Sequence, residues 1–449
     1  MIRALYSVFM WLAQPFVRAR LKRRGVQEPG YLAHPQERFG HYDASAPVPG
    51  KLVWIHAVSL GETRAAAVLI DAMRLRDPAL QLLLTHGTAT GREAGLALLR
   101  AGDLQVWQPW DTPQAVARFL RHFQPRIGIL METEVWPNLA AGCAQLKVPL
   151  VLANARMSTK SLKTSLQLSW LARPAYAALA AVWAQTKADA DRLVQLGANV
   201  QGVFGNVKFD ATPNAALLAR GRQWRSHLHR PVVMLAISRE GEEAQLLDLL
   251  RNDFLSETAT TTPTPASGIQ WLIVPRHPQR FDEVAGLIEA RGFKVSRRSR
   301  WTNGPATFSD GLTQPIDPLN HPAPPTVWLG DSMGEMPLYY GLADAALLGG
   351  SFENLGGQNL IEAAACGCPV VMGPYTFNFA EAASLANAAG AAQRVPSMAR
   401  AVVTVCETVL DAASVQASRH NALAFAQAHR GAAGRLAEAI EGIVKTLHK

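Results

Sequence analysis

Ala345-Ala-Leu-Leu-Gly-Gly-Ser-Phe-Glu-Asn-Leu-Gly-Gly-Gln-Asn-Leu-Ile-Glu-Ala-Ala-Ala365 passes from an apolar run, through two glycine pairs, into a helix-forming segment. The apolar run, 345–348, reads as a buried strand, and residues 359–365 read as the first turns of a helix. Glycines between a strand and a helix N-terminus let backbone amides approach an anion, and the helix dipole favours negative charge there. Glu362 falls one turn inside the helix, where a carboxylate can accept two hydrogen bonds from a ribose diol. The layout suits the phosphate and sugar of a nucleotide; a plain strand-to-helix turn is the other reading.

Outward from this stretch the chain alternates strands with helices. Apolar runs at 52–58, 81–85, 127–131, 149–153 and 181–184 are separated by helical stretches at 63–76, 91–100, 113–123, 158–180 and 187–196. A second series of strands follows at 232–237, 271–275, 326–330, 345–348 and 370–372. This βα repeat predicts an α/β protein with parallel, doubly wound sheets. The expected organisation is an N-terminal segment 1–24, a Rossmann-like domain 25–208, a linker 209–230 and a second Rossmann-like domain 231–449. Two such domains facing across a cleft are a common frame for sugar-nucleotide enzymes. Residues 257–268, rich in Thr and Pro, and 297–325, with little periodicity, read as loops.

The 449 residues carry a formal charge of +9 at pH 7, which points to an anionic partner: nucleic acid, a membrane surface or an acidic substrate. The N-terminus selects the membrane. Residues 4–17 are uncharged and mostly apolar, and Arg18, Arg20, Lys22, Arg23 and Arg24 follow. As a helix this run is about 21 Å long, short of the roughly 30 Å hydrocarbon core. An in-plane or partly inserted anchor, basic end against anionic lipid on the cytoplasmic side, fits better than a span or a cleaved signal. A helix docked on the protein itself is the alternative. The four cysteines, Cys143, Cys366, Cys368 and Cys406, show neither zinc spacing nor a disulfide framework and read as small buried residues.

Candidate chemical groups cluster at strand ends. Trp54-Ile-His-Ala-Val-Ser-Leu-Gly-Glu-Thr63 runs from the first strand into a helix, and Ser59-x-x-Glu62 is a capping box. Glu62 also stands where α/β enzymes place catalytic groups, and could take a proton from a hydroxyl. Glu132 and Glu134 follow the strand 127–131 directly, and two buried carboxylates so close are costly unless paired or used. Asp189-Ala-Asp191 spells a metal-binding Asp-x-Asp but lies in a helical stretch, where a solvated face is the expected reading and no metal is called for. Lys208, after Gly205-Asn206, can reach a phosphate. Pro275-Arg-His-Pro-Gln-Arg280 closes a strand with two guanidiniums and an imidazole, an anion-binding group. Gly330-Asp-Ser-Met-Gly-Glu335 is another strand-to-helix turn with amides available to a phosphate or base.

The order of these motifs, with Asn154-Ala-Arg-Met-Ser158, Gly205-Asn-Val-Lys-Phe-Asp210 and Met372-Gly-Pro-Tyr-Thr-Phe-Asn-Phe379, closely resembles the 3-deoxy-D-manno-octulosonic acid (Kdo) transferases of lipopolysaccharide assembly over essentially the whole chain. The resemblance implies a two-domain GT-B glycosyltransferase. Such an enzyme passes Kdo from CMP-Kdo to the lipid A precursor, lipid IVA, with inversion, on the cytoplasmic face of the inner membrane. It needs no cofactor and no nucleic-acid partner. It implies Glu62 as general base and Glu132 and Lys208 as transition-state stabilisers. CMP would be held by Pro275, Arg276 and His277, by Met333, Gly334 and Glu335, and by Asn359, Leu360, Ile361 and Glu362. Gln358 and Leu360-Ile361 stand where many relatives have His and Pro-Leu, so only a side-chain phosphate contact at 358 is put in doubt. A UDP-sugar epimerase of the same architecture and a non-catalytic nucleotide-sugar binding protein are the competing readings.

Overall fold

Alternate residues of the strand Leu52–His56 (β1) serve opposite faces of one sheet: Leu52 and Trp54 join one buried cluster, Val53 and Ile55 another. Both faces are covered, so the strand is apolar throughout, as expected of a parallel sheet flanked by helices. The computed structural model describes residues 2–43, 47–256, 265–305 and 325–447. Among them β1 is followed by Gln81–His86 (β2), Leu104–Trp107 (β3), Ile127–Met131 (β4), Leu150–Ala155 (β5), Ala181–Ala184 (β6) and Val200–Val203 (β7). Their order in the sheet is β3-β2-β1-β4-β5-β6-β7, all parallel. The order reverses between β1 and β4, and such a switch point is where α/β proteins bind ligands at the carboxyl ends of strands.

The second unit repeats the plan with Val232–Ser238 (β8), Gln270–Pro275 (β9), Lys294–Arg297 (β10), Thr326–Leu329 (β11), Ala345–Leu348 (β12), Val370–Met372 (β13) and Ala392–Arg394 (β14). The order is β10-β11-β9-β8-β12-β13-β14, again parallel, with its switch point between β8 and β12. One buried cluster, built on Val233, Leu235, Ile273, Leu329 and Leu347, fills one side of the sheet.

Domain boundaries differ from the expected ones in two ways. The chain divides into Met1–Asp210 with His429–Lys449, and Ala211–Ala428. The expected linker 209–230 holds a helix, Ala215–Ser226, capped by Asn214 and packed against the helix Met336–Leu342 of the second unit. The terminal helix Ala432–Leu447 returns to the first unit, where Leu436 and Ile440 share a core with Leu69 and Ile70. Asp210 holds its start by accepting from the amides of Gly431 and Ala433. Composition hid both facts: a basic, polar helix surface reads as a linker, and a helix carries no mark of which sheet it will cover. Smaller corrections follow the same logic. The stretch 158–180 forms two helices, Thr159–Gln167 and Ser169–Ala177, and the loop 297–325 begins with the end of β10 and a turn at Arg298–Arg300. Residues 257–264 and 306–324 of the two expected loops lie outside the described residues.

At the N-terminus two helices, Ile2–Leu12 (α1) and Gln14–Gln27 (α2), precede the first sheet. α1 docks by a narrow face: Tyr6 donates to Asp111 at 2.9 Å, Ser7 donates to Asn138 at 3.1 Å, and Met10 is buried. Leu5, Val8, Phe9, Trp11 and Leu12, with Phe16 beyond, are left exposed. Among the described residues no helix is long and apolar enough to cross a membrane.

Candidate active site

The helix Leu60–Arg76 (α3) starts immediately after β1. Ser59 caps it, accepting from the Glu62 amide at 3.4 Å, and Glu62 reaches back to accept from the Val58 amide at 2.9 Å. The candidate base is thus the capping-box partner of Ser59, with its rotamer held by the loop. Burial pushes the Glu62 carboxyl up to about 7, and the charges of Glu132 and Glu134 push it the same way against the pull of the Val58 amide and Ser59 hydroxyl. A carboxyl titrating near neutrality exists in both forms at working pH, as a general base requires.

Glu132 follows β4, the strand beside β1, at the switch point. Its backbone is left-handed, φ +60°, which costs a residue with a side chain about 1–3 kcal/mol. Two backbone bonds from the next strand enforce it: Glu132 donates to Ala153 at 3.1 Å and accepts from the Arg156 amide at 3.0 Å. The side chain is nearly buried and accepts from Lys208 Nζ at 2.7 Å. Lys208 sits on the short turn Val207–Asp210, which is fixed by a buried amide network. Asn154 Oδ1 accepts from the Val207 amide, Gln185 donates to the Asn154 carbonyl, and Asn206 donates to Gln185. Asn154 is itself left-handed and fully buried. Glu134 is also held above its usual range by burial. The structure therefore brings Glu62, Glu132, Glu134 and Lys208 into one electrostatic neighbourhood.

In the second unit the strand ends at the switch point are equally constrained. Ile237, near the end of β8, is left-handed, φ +57°, an outlier for a β-branched residue. Gly349 lies so close that a Cβ there would meet the Ile237 carbonyl oxygen at 2.3 Å. Gly356 combines φ +88° with contact to the turn at Phe377 and Asn378, where a Cβ would come within 2.5 Å of both side chains. The glycines quoted from the sequence thus fold the loop against 377–378, but three of the amides expected to face an anion are used inside the protein: Gly349 donates to the Ala236 carbonyl at 2.8 Å, Gly350 to Glu242 at 2.7 Å and Gly357 to the Gly350 carbonyl at 2.7 Å.

Beyond this loop, Asn359 caps the helix Leu360–Ala365, accepting from the Ile361 amide at 3.1 Å. Leu360 and Ile361 are buried, so they offer backbone only, while Asn359 and Glu362 are half-buried. At the end of β9, Arg276 donates its amide to the Ser238 carbonyl at 3.0 Å. The His277 imidazole is held below its usual value by burial and by the neighbouring Arg239 and Arg276. Pro275 ends the strand. In the 330–335 turn Met333 is exposed, Gly334 is left-handed, and Glu335 accepts from Arg298 at 2.8 Å and from Ser332.

Two expectations need correction, and one, the buried cysteines, holds. Arg280 is no free anion binder: it donates to buried Glu243 at 2.8 Å and to Glu283 at 2.9 Å. Asp189 is not on a solvated face; it is buried, accepting from the Met157 amide at 2.8 Å and from the Thr186 hydroxyl at 2.7 Å. Only Asp191 is exposed, paired with Lys187. The i, i+2 spacing on a helix sends the two side chains to different surroundings, one inward and one outward. The four cysteines are buried and unbridged.

Sequence reading missed Glu242 and the role of Asn154. Glu242 is fully buried and accepts from the amides of Arg239, Gly350 and Phe352, at 2.9, 2.7 and 3.1 Å. Its signal was available: Ser238-x-x-Gly-Glu242 repeats, with one extra residue, the Ser59-Leu-Gly-Glu62 loop of the first unit.

The profile of the family described as 3-deoxy-D-manno-octulosonic-acid transferase (kdotransferase) matches residues 33–211. The 3-deoxy-D-manno-octulosonic acid transferase of Bordetella pertussis is 43% identical over 446 residues, covering 98% of this chain and 99% of its own length. A glycosyltransferase from Rickettsia africae superposes with a TM-score of 0.53 at 12% identity, over 90% of this chain and 100% of that one. The UDP-GlcNAc 2-epimerase of Neisseria meningitidis, bound to UDP-GlcNAc, gives 0.51 at 14% identity, over 88% and 99%. At such identities these two show the shared GT-B fold alone.

Proposed function

This chain belongs to the 3-deoxy-D-manno-octulosonic acid transferase family, and from that premise we propose that it transfers Kdo from CMP-Kdo to a hydroxyl of lipid IVA, inverting the anomeric carbon and releasing CMP. Glu62 accepts the proton of the attacking hydroxyl as that oxygen bonds to the anomeric carbon and the bond to the CMP phosphate breaks. The observation that carries the reading is a carboxyl held by the Val58 amide at a switch-point strand end, pushed up to about 7 by burial, beside the Glu132–Lys208 pair. A base of that pKa is mostly ionised just above neutrality yet basic enough to take a hydroxyl proton as it is released.

Lys208, kept in place by Glu132, offsets negative charge developing on the departing phosphate, and Glu132 balances the ammonium in the resting protein. Arg276 with its neighbours Pro275 and His277, the Met333-Gly334-Glu335 turn, and the backbone of Leu360 and Ile361 with Asn359 and Glu362 hold the CMP portion. A nucleoside monophosphate carries less charge than a diphosphate, so cations and backbone amides suffice without a metal. The exposed apolar face of α1 and the basic residues of α2 lie against the cytoplasmic face of the inner membrane, bringing the protein to its lipid acceptor. The test is release of CMP from CMP-Kdo by purified protein with and without lipid IVA. Acceptor-dependent release is expected; release that ignores the acceptor, or its absence in both arms, would overturn the reading.

A further inference from the structure

Two cavities in the first unit, one of them beside the candidate active site, have no role in the account above. The first, about 350 Å³, begins at Thr133 and Arg156 and runs between the helices Thr159–Gln167 and Ser169–Ala177. Arg156 gives its amide to Glu132, so this cavity opens beside the strained strand end that carries the Glu132–Lys208 pair. The second, about 470 Å³, continues past Ala141 and Trp170 to Arg3 on α1. Pro137, Leu171 and Ala175 line both, so the two abut along one trough. One end lies at the chemistry and the other at the helix whose apolar face is exposed.

We propose that this trough holds an acyl chain of the acceptor, with Arg156 at the inner end facing the acceptor's anionic head group. The proposal rests on the reading that the acceptor is a lipid. Volumes of this size are those of ligand sites, and the walls between the two ends are mainly aliphatic and aromatic. The charges lining the trough are of one sign: Arg156 and Arg3, with no Asp or Glu on either cavity wall. The Arg156 guanidinium is half-buried and has no ion-pair partner among the described residues. Glu134, whose charge reaches Tyr176 of the first cavity, is itself driven toward its neutral form by burial. An amphipathic anion meets all of these features: the head group the cation, the chain the apolar walls. Trp170 and Leu168, both half-exposed at the lip, extend the apolar path toward α1.

Ala172→Phe fills the first cavity and Ala141→Phe the second. The assay compares transfer by full-length protein, in detergent, to lipid IVA and to the same head group stripped of its acyl chains. Wild type is expected to favour the acylated acceptor. Each variant is expected to lower the ratio of kcat/KM for acylated over stripped acceptor by tenfold or more, mainly through KM. Ala172→Val serves as a milder filling should the Phe variants melt below wild type. A ratio within twofold of wild type in folded variants would overturn the proposal, as would a wild type indifferent to acylation. Wild type that transfers to neither acceptor would instead bring down the function from which the proposal starts.

Discussion

The loops after the first strand of each sheet carry a glutamate in the same place; burial pushes both carboxyls upward, but the protein satisfies them differently. Glu242 is sealed from solvent and accepts three backbone amides, tying the end of β8 to the loop after β12. Glu62 accepts one backbone amide, is half-buried, and feels two other carboxylates. One loop design thus yields a strut in the second unit and, in the first, a carboxylate with acceptor positions to spare, the proposed base. The difference lies in how many of the carboxylate's acceptor positions the protein itself fills. Four acceptor positions with three protein donors leave little for chemistry; one backbone donor and partial burial leave lone pairs that a proton could take.

The sharpest way to break this comparison is Glu62→Gln. Turnover should fall by a factor of ~10² or more with little change in CMP-Kdo binding. Wild-type-like turnover of the purified variant would leave Glu62 a helix cap, no different in kind from Glu242. The wild-type rate should rise with pH through about 7, as the carboxyl ionises. Stability should move the other way. The folded carboxyl titrates near 7 against an ordinary 4.5, so the folded state binds the proton more tightly. That contribution is complete below pH 4.5 and is lost as pH rises through 7. Glu62→Gln should therefore be more stable than wild type at pH 8, by about 2 kcal/mol after allowing for residual solvent access, and the gain should vanish by pH 4. Denaturant melts at the two pH values check it.

Lys208→Ala should lower kcat by a factor of ~10². Combined with Glu132→Gln, the double variant should lose far less than the product of the single effects, because the two side chains act as one pair. Strict additivity in the cycle would separate them. Glu242→Gln should act on stability, costing about 1–3 kcal/mol as one or more buried amides lose their acceptor. The pH midpoint of its residual rate should stay at the wild-type value; a shifted midpoint would mean that Glu242 takes part in the titration now assigned to Glu62.

The smallest catalytic effect is expected at the N-terminus. Replacing exposed Phe9, Trp11 and Phe16 with Ser should release the protein from anionic vesicles while transfer in detergent continues. Replacing Arg20, Lys22 and Arg23 with Gln should weaken vesicle binding by roughly 1 kcal/mol per residue, with the difference fading at high salt. Unchanged sedimentation of both variants would move the membrane contact away from α1 and α2. EDTA should leave the rate untouched; loss that magnesium restores would end the cation-only account of the leaving group.

The strands that the sequence did not disclose share one position. β3, β7, β10 and β14 are the four sheet edges, and none forms a fully buried apolar run. Val200-Gln-Gly-Val203 and Lys294-Val-Ser-Arg297 look like loops because an edge strand has one neighbour and needs less apolar surface. Most interior strands are covered on both faces, and these were legible as short apolar runs. Of the site, the Ser59–Glu62 box and the glycine loop were legible because capping and turn chemistry are local. The Glu132–Lys208 pair, 76 residues apart, was legible only as separate motifs.

From sequence alone the chain was determined to be two parallel α/β sheets with helix caps and glycine turns at their carboxyl ends, because strand burial and helix capping depend on residues within a few positions of one another. Tertiary structure decided the rest: that the terminal helix covers the first sheet, that Asp189 turns inward, that Glu132 meets Lys208, and that Glu62 titrates near 7. Those outcomes depend on burial and on charges brought together from distant segments, and both arise only once the chain has packed.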